Sequence, residues 1–428
     1  MPSGKSASIF RDRNFSRLIA AQFISDTGTA VTALALPLIA LDTLHASPFT
    51  LGLLGAASTL PQLLMSLWAG AVADRGDKRR MMVCADAVRC LLVVSIPLAS
   101  AAHVLTLAHL FLVALLEASI TLFFDAAYSS FPPQLFGKGP RLEEALGKLN
   151  ASYSTALLVG PSLAGLFIAV SDASTAMVGD AVSYAVSFLL LLRITVERPE
   201  TQVRQKTRQG SSKAGFLTTQ KEGLKYVFTH AEFRSIALAN GVDSFFLAAW
   251  NTLWLLYVVR HLHWTPQAAG LVLGISAAGG ILGSLAAQRA TRRFGMSRVL
   301  LVSAFATAPC EAVTLLVNPG PAGQIAVLAS FMVVMFFVFL YTTAARSYRQ
   351  LSCPSGMLGR VMMTSRWLSW GGRPVGAFAG GLVGSAIGVY QTMLLAVAGL
   401  LLPPLILMFG LPWKTPVQPT DSWEGVSA

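Results

Sequence analysis

The 428-residue chain is too apolar for an ordinary soluble domain, because 54 % of its residues are hydrophobic, only 12 % are charged, and its mean hydropathy is +0.61. The formal net charge of +12 would suit a nucleic-acid-binding protein, but lysine and arginine are spread over many short polar segments. The composition therefore predicts a polytopic membrane protein and argues against nucleic acid as a partner.

A helix that crosses the hydrocarbon core of a bilayer needs about 20 mostly apolar residues. Twelve such stretches follow one another along the chain, and we number them as predicted helices 1 to 12. They lie at roughly 16–42, 48–73, 80–102, 105–133, 146–170, 174–193, 234–260, 266–289, 298–317, 322–345, 360–388 and 391–411.

The distribution of charge between the loops predicts the orientation. Basic clusters fall on alternate loops, whereas the loops of the other side hold a single basic residue, Arg260. Cytoplasmic loops of membrane proteins carry an excess of lysine and arginine. We therefore expect a multi-pass protein of the cytoplasmic (inner) membrane, with the lipid bilayer as its surroundings and both termini in the cytosol.

No cofactor is predicted. The four cysteines lack metal-ligand spacing, and no phosphate-binding loop of the G-x4-GK[ST] type occurs. The sequence thus indicates neither a metal site nor direct use of ATP.

One long polar segment divides the predicted helices six and six. The resulting domains are an N-terminal bundle (1–193), a cytoplasmic linker with an amphipathic helix (194–233), a C-terminal bundle (234–411) and a cytoplasmic tail (412–428). The bundles resemble each other, since GAVADRGDKRR at 70–80 is repeated weakly as GSLAAQRATRR at 283–293. The predicted fold class is an all-α membrane protein with two pseudo-symmetric six-helix bundles, as described for secondary transporters.

GAVADRGDKRR resembles the signature between helices 2 and 3 of the major facilitator superfamily, G-x-L-a-D-r-x-G-r-k. The resemblance implies that Gly70 permits close helix approach and that Asp74 caps a helix of the opposite half, as a latch on the cytoplasmic side. The basic positions are matched by Arg75, Lys78, Arg79 and Arg80. Asp77 departs from the glycine of the general pattern, and Ala287 replaces the acid in the second copy, so no latch is expected there.

Predicted helix 5 carries a second family pattern. Gly147, Gly160, Pro161 and Gly165 match the antiporter motif G-x8-G-x3-G-P-x2-G-G, with alanine at two of its glycine positions. That motif implies an exporter, and Gly-Pro lets the helix bend. Over residues 10–410 the chain resembles the macrolide and enterobactin exporter-like branch. It differs at Tyr128, where that branch often has arginine.

Three acids fall near the middle of predicted helices, where a charge costs about 2.5–3.5 kcal/mol on insertion scales. Asp26, Glu117 and Asp243 are therefore candidates for proton coupling and substrate binding, because a carboxylate removed from water binds protons more readily. Side chains at helical spacing from these acids are the candidate cavity lining, where aromatic rings would suit a cationic ligand. They are Gln22, Thr121, Phe124, Tyr128, Phe246, Trp250 and Trp254.

The alternative interpretation of these acids is structural: each would pair with a buried base, for which Arg366 and Arg373 in predicted helix 11 are the candidates. Asp125 and Asp180 match the family pattern and are expected to be structural. Glu311 in predicted helix 9 has no assigned role.

The resulting functional prediction is a non-enzymatic secondary transporter. It would export an amphipathic small molecule, such as an antibiotic or a siderophore, in exchange for protons, by rocking of the two bundles as a monomer. An uptake symporter is the alternative within transport. From other classes, a membrane sensor or scaffold would be expected to carry a sizeable soluble domain, and an integral-membrane enzyme would need a paired catalytic constellation; the sequence provides neither.

Overall fold

The computed structural model describes residues 9–137, 139–195, 224–353 and 358–411, and these ranges are helical with no strand. Most of the predicted linker, including the first part of its amphipathic helix, and the C-terminal tail lie outside the described residues. The helices are α1 (Arg13–Leu38), α2 (Pro48–Arg75), α3 (Lys78–Ala101), α4 (Leu107–Ser129), α5 (Pro140–Val170), α6 (Ala173–Leu192), α7 (Ala231–Arg260), α8 (Pro266–Phe294), α9 (Met296–Leu316), α10 (Pro321–Ser352), α11 (Leu358–Ile387) and α12, which consists of Val389–Gly399 and Leu402–Gly410. A short helix, Pro132–Phe136, precedes α5.

Eleven of the described helical segments are long and apolar enough to cross a membrane. The one predicted span outside this set is α11, which is long enough at 30 residues. It is less apolar because its first half carries Arg360 and Arg366 among serines and tryptophans, and Arg373 follows at its middle. The all-α membrane fold expected from the sequence is confirmed.

The described residues form two compact units. The first contains those up to residue 195 together with Val258–Ile275, and the second contains 224 to Tyr257 and those from Ser276 onward. In the first unit, α1 packs on α5 and α6, and α3 packs on α4 and α6. In the second unit, α9 packs on α10 and α12. The boundaries proposed from the sequence stay a prediction.

Side-chain caps begin several helices of the first unit. Asp12, Ser47, Thr106 and Asp172 each accept a hydrogen bond from a backbone N–H of the first helical turn. Such caps satisfy donors that have no partner within the helix. At Asp172 partial burial opposes ionisation, but the hydrogen bonds from Thr175 outweigh it, so the pKa of Asp172 lies below its ordinary value.

A side-chain cap also begins α3, at the connection from α2. Asp77 caps α3 by accepting a 3.2 Å hydrogen bond from the N–H of Arg80, and the Arg80 side chain lies 3.6 Å from the Asp77 carboxylate at the surface. Arg79 donates to the carbonyls of Leu191 and Leu192 at the end of α6, at 3.1 Å for Leu191. Asp77 and Arg79 thus have structural roles within the first unit.

The latch itself stays a prediction. The side chains of Asp74 and Arg75 lie outside the described part of the structure. A Cβ atom built at Gly70 would meet no described atom of a neighbouring segment within 4 Å. The close approach expected at Gly70 is therefore absent among the described residues.

Replacing Asp77 tests its role as a cap. We expect Asp77→Ala to lower the free energy of unfolding by about 1 kcal/mol, whereas Asp77→Gly should cost only a few tenths, because glycine tolerates the capping position. Unfolding of the purified chain in mixed micelles measures both. Equal losses for the two variants would contradict the capping role.

Candidate functional site

A buried arginine organises the centre of the first unit. Arg89 on α3 is 2 % exposed and forms an ion pair with Asp86, which lies one turn earlier on the same helix and is fully buried. The guanidinium lies 4.2 Å from the ring centroid of Phe124 on α4 and 4.5 Å from that of Tyr184 on α6. A guanidinium stays charged even in an apolar interior, so the carboxylate and the two rings stabilise it there.

Hydrogen bonds extend from Arg89 to Glu117. Arg89 donates to Thr121 at 3.4 Å, and Thr121 donates to the Glu117 Oε1 atom at 2.9 Å. The Tyr184 hydroxyl donates to the same oxygen at 3.1 Å. Glu117 and Thr121 therefore share one helix face, as the sequence predicts.

A third acid of the first unit is held by hydroxyl groups alone among its described hydrogen-bond partners. Asp180 on α6 is fully buried and accepts hydrogen bonds from Thr32 at 2.5 Å and from Ser183 at 2.9 Å. Gly28 makes this approach possible, because a Cβ atom there would lie 2.5 Å from the Asp180 Oδ1 atom. These contacts agree with the structural role expected for Asp180.

Asp26 on α1 is half-buried and incompletely satisfied. Its Oδ1 atom accepts a 2.7 Å hydrogen bond from Gln22. Its Oδ2 atom and the Gln22 Oε1 atom are buried and accept no hydrogen bond from the described residues. One turn along, the hydroxyl groups of Thr29 and Tyr184 share a 3.0 Å hydrogen bond, which joins α1 to the group around Glu117. Asp26 is thus bonded to Gln22, whereas the link from α1 to Glu117 runs through Thr29 and Tyr184.

The predicted cavity residues Tyr128 and Phe124 of α4 differ in burial. Tyr128 is half-buried and stacks on Phe124 with ring centroids 6.2 Å apart. Phe124 is 2 % exposed and covers Arg89. The cation on the face of Phe124 thus belongs to the protein, and a role of Phe124 in a substrate cavity stays a prediction.

The second unit places Asp243 half-buried on α7. Trp250 and Trp254 follow on the same helix but are 0 % and 4 % exposed, and Trp254 packs on Phe331 at 5.4 Å between centroids. Phe246 lies against Gly399 of α12. The two tryptophans are packed inside the unit, and their role as cavity lining stays a prediction.

The two predicted buried bases differ from expectation. Arg366 is exposed and Arg373 is half-buried, and both guanidinium groups lie over the Trp370 ring, at 4.9 and 4.7 Å. The positive charge of Arg373 acts on Asp243. For the acids of the first unit, the buried base is Arg89, which the sequence interpretation overlooked. The sequence contains a signal for this buried base, because Asp86 and Arg89 stand three residues apart inside an apolar stretch.

The helix 5 motif marks close backbone contacts. A Cβ atom at Gly160 would lie 2.8 Å from the Cβ atom of Ala30 on α1, and one at Gly165 would lie 3.0 Å from the Cα atom of Gly270 on α8. Pro161 joins this contact, because its carbonyl oxygen lies 2.5 Å from the Cβ position of Gly270. Around Gly147 there is open space among the described residues. Three of the four motif residues therefore allow α5 to touch its neighbours.

No group of three or more His, Cys, Asp or Glu side chains is arranged to hold a metal ion within the described ranges. What the helices enclose is a polar network inside an apolar bundle. That combination defines a multi-pass membrane transporter.

Comparison with known proteins assigns the family. Residues 5–425 match the family described as transmembrane secretion effector, so the chain belongs to this family of the major facilitator superfamily. The chain is 25 % identical over 390 residues to the multidrug efflux pump Tap of Mycobacterium tuberculosis, which covers 88 % of each chain. It is 22 % identical over 290 residues to the staphyloferrin A transporter of Staphylococcus aureus, covering 66 % of this chain and 69 % of that one.

Solved structures agree on the fold. The nucleoside transporter NupG superposes with a TM-score of 0.73 at 15 % identity, covering 94 % of this chain and all of that one. A bacterial homologue of the iron transporter ferroportin, in an inward-facing state, gives a TM-score of 0.72 at 14 % identity over 94 % of this chain and 99 % of that one. The family and its relatives are transporters, not enzymes.

Removing the buried cation tests the ion pair. We expect Arg89→Met to lower the free energy of unfolding by about 3–5 kcal/mol, because Asp86 then remains buried without its partner. Adding Asp86→Leu should recover most of that loss. The control is Arg80→Met, which breaks an exposed pair with the same spacing and should cost about 0–1 kcal/mol. Similar losses for Arg89→Met and Arg80→Met would contradict the proposed importance of burial.

Two glycines of the helix 5 motif form a matched pair. Gly160→Ala forces α1 and α5 apart, so we expect a loss of about 1–3 kcal/mol in the free energy of unfolding. Gly147→Ala meets open space and should be neutral or stabilising by up to about 1 kcal/mol, because alanine favours helix. Denaturation of both variants in mixed micelles gives the comparison. A harmless Gly160→Ala would contradict the close contact.

Proposed function

We propose that the chain exports an amphipathic small molecule, a drug or a siderophore, across the cytoplasmic membrane in exchange for protons. The observation that carries the proton part of this proposal is the charge balance of the first unit. Five carboxylates act on Arg89, the buried arginine of the described first unit: those of Asp26, Asp86, Glu117, Asp125 and Asp180. An apolar interior does not hold several uncompensated charges, so some of these carboxylates carry protons.

Burial separates the roles of these acids, of which Asp125 is exposed. Asp86 and Asp180 are fully buried, and ion pairing or hydroxyl donors hold them in place. Asp26 and Glu117 are half-buried, which gives them access to water and to a substrate. The buried Oδ2 atom of Asp26, which accepts no hydrogen bond from the described residues, provides a position for a proton. Asp26 and Glu117 are therefore the proposed exchanging carboxylates.

The proposed class of substrate is inferred from the relatives and from the partly exposed side chain of Tyr128. The relatives include a multidrug efflux pump and a siderophore transporter. Tyr128 is half-buried, and the charge of Asp26 acts on it. Its ring therefore offers an aromatic face close to a carboxylate. A ring beside an acid suits an amphipathic cation. Gln22 and Thr121 complete the proposed lining within the first unit.

Transport would proceed by alternating access between the bundles 1–193 and 234–411, with Asp74 as the cytoplasmic latch and both termini in the cytosol. Uptake symport is the competing function. The glycine contacts of α5, at positions where the exporter motif places them, favour export, and the direction of substrate flux distinguishes the two.

Inverted membrane vesicles provide the test. In energised vesicles containing the wild-type chain, amphipathic cations, macrolides or siderophores should accumulate, and a protonophore should abolish accumulation. Asp26→Asn and Glu117→Gln should reduce accumulation to the protonophore level. Both variants keep the oxygen that accepts the observed hydrogen bonds, so the network is preserved.

Asp172→Asn is the matched control, because it makes the same change at an exposed cap where asparagine is equally suitable. It should transport like the wild type. Accumulation that survives both the protonophore and the two network substitutions would exclude proton antiport. Substrate movement only in the opposite direction would establish uptake.

A further inference from the structure

A second group of acids, Glu311 on α9 and Asp243 on α7, lies in the second unit. No arginine stands within one turn of either acid along its own helix. Glu311 on α9 is 3 % exposed, and its Oε2 atom accepts no hydrogen bond from the described residues. Trp250 on α7 lies beside this carboxylate, is 0 % exposed, and its indole N–H makes no hydrogen bond of normal geometry within the described ranges. The Glu311 Oε2 atom is thus a buried acceptor without a described donor, which costs about 1–3 kcal/mol unless another species such as a proton binds.

Asp243 shares the surroundings of Glu311. It lies two helical turns before Trp250 on the same face of α7, and its charge acts on Glu311. Three helices contribute groups near the pair: Arg373 from α11 acts on Asp243, Tyr341 from α10 lies near it, and Cys310 neighbours Glu311 on α9. Tyr341 donates a 2.7 Å hydrogen bond to Asn240, one turn before Asp243.

Helices α9 and α3 differ in the charged residues that they carry. In the sequence repeat, α9 corresponds to α3, which carries Arg89 together with Asp86. Glu311 is the sole acid of α9, and the only base of that helix, Arg298, stands in its first turn. The two units therefore differ in how they bury charge. The first pairs a cation with an acid of the same helix, whereas the second buries a carboxyl group that has no base beside it on its own helix.

We propose that Glu311 and Asp243 form a second proton-binding site, built entirely from the second unit. Asp243 is half-buried and is the more accessible of the two carboxyl groups, whereas Glu311 is fully buried. The Trp250 N–H is directed at the Glu311 carboxylate in its unprotonated form. Two carboxyl groups that interact this way titrate as a pair. Each proton that binds converts one carboxylate to a carboxylic acid, so no co-reactant is needed. The participation of this site in transport rests on the proposed function, but its existence does not.

Infrared pH-difference spectroscopy on the full-length chain in lipid measures the site without any substrate. The wild-type chain should show carboxylic-acid carbonyl bands that disappear as pH rises. Glu311→Gln should remove one of them. Asp243→Asn should leave the Glu311 band in place but move its midpoint to lower pH by about one unit, because the neighbouring negative charge is gone.

Thr314→Val is the matched control, since Thr314 is fully buried on the same helix and carries no titratable group. It should leave all bands unchanged. An unchanged spectrum in Glu311→Gln, or a Glu311 band that ignores Asp243→Asn, would overturn the proposal. The Asp243→Asn comparison decides it even if Glu311→Gln does not fold, because Glu311 is intact in that variant.

Vesicle transport separates this outcome from failure of the proposed function. Infrared bands that behave as expected together with protonophore-resistant transport would sustain the second site and exclude proton antiport. Protonophore-sensitive transport together with an unaltered infrared spectrum in Glu311→Gln would sustain antiport and overturn the second site.

Discussion

A guanidinium held in an apolar interior is the constraint on which the first unit depends. Arg89 cannot lose its charge, so the helices around it supply compensation: Asp86 on its own helix, and aromatic faces from Phe124 and Tyr184. Tyr184 then links α6 to α4 through Glu117 and to α1 through Thr29. The relative positions of four helices thus follow from the need to surround one cation.

Small residues make that arrangement possible. The polar network would not close if α1 and α6 were held apart by a side chain at Gly28, where the Ser183 Oγ atom lies within 2.0 Å of the Cβ position. Without a hydrophobic drive between helices in lipid, close backbone contact and interhelical hydrogen bonds are the available attractions. Gly28 and Gly160 place both kinds of contact on α1, which therefore serves as the central helix of the unit.

Helix positions and shared faces could be predicted from the sequence, because hydropathy and a 3.6-residue period determine them. The pairs Gln22–Asp26 and Glu117–Thr121 are hydrogen-bonded as that period requires. Which neighbouring helix covers a face depends on tertiary packing, which the period does not contain. For that reason the cation on the face of Phe124 was expected to be a substrate, and Arg89 was overlooked.

The pairing of Asp86 with Arg89 also matters before the protein is folded. When α3 enters the bilayer during synthesis, α4 and α6 have not yet been made, so neither Tyr184 nor Glu117 is available. Each isolated charge would oppose insertion by about 2.5–3.5 kcal/mol. Because the two residues stand three apart on one helix, α3 brings its own counter-ion into the membrane. The part of α3 beyond its basic first turn can therefore enter the lipid without net charge and acquire its later partners there.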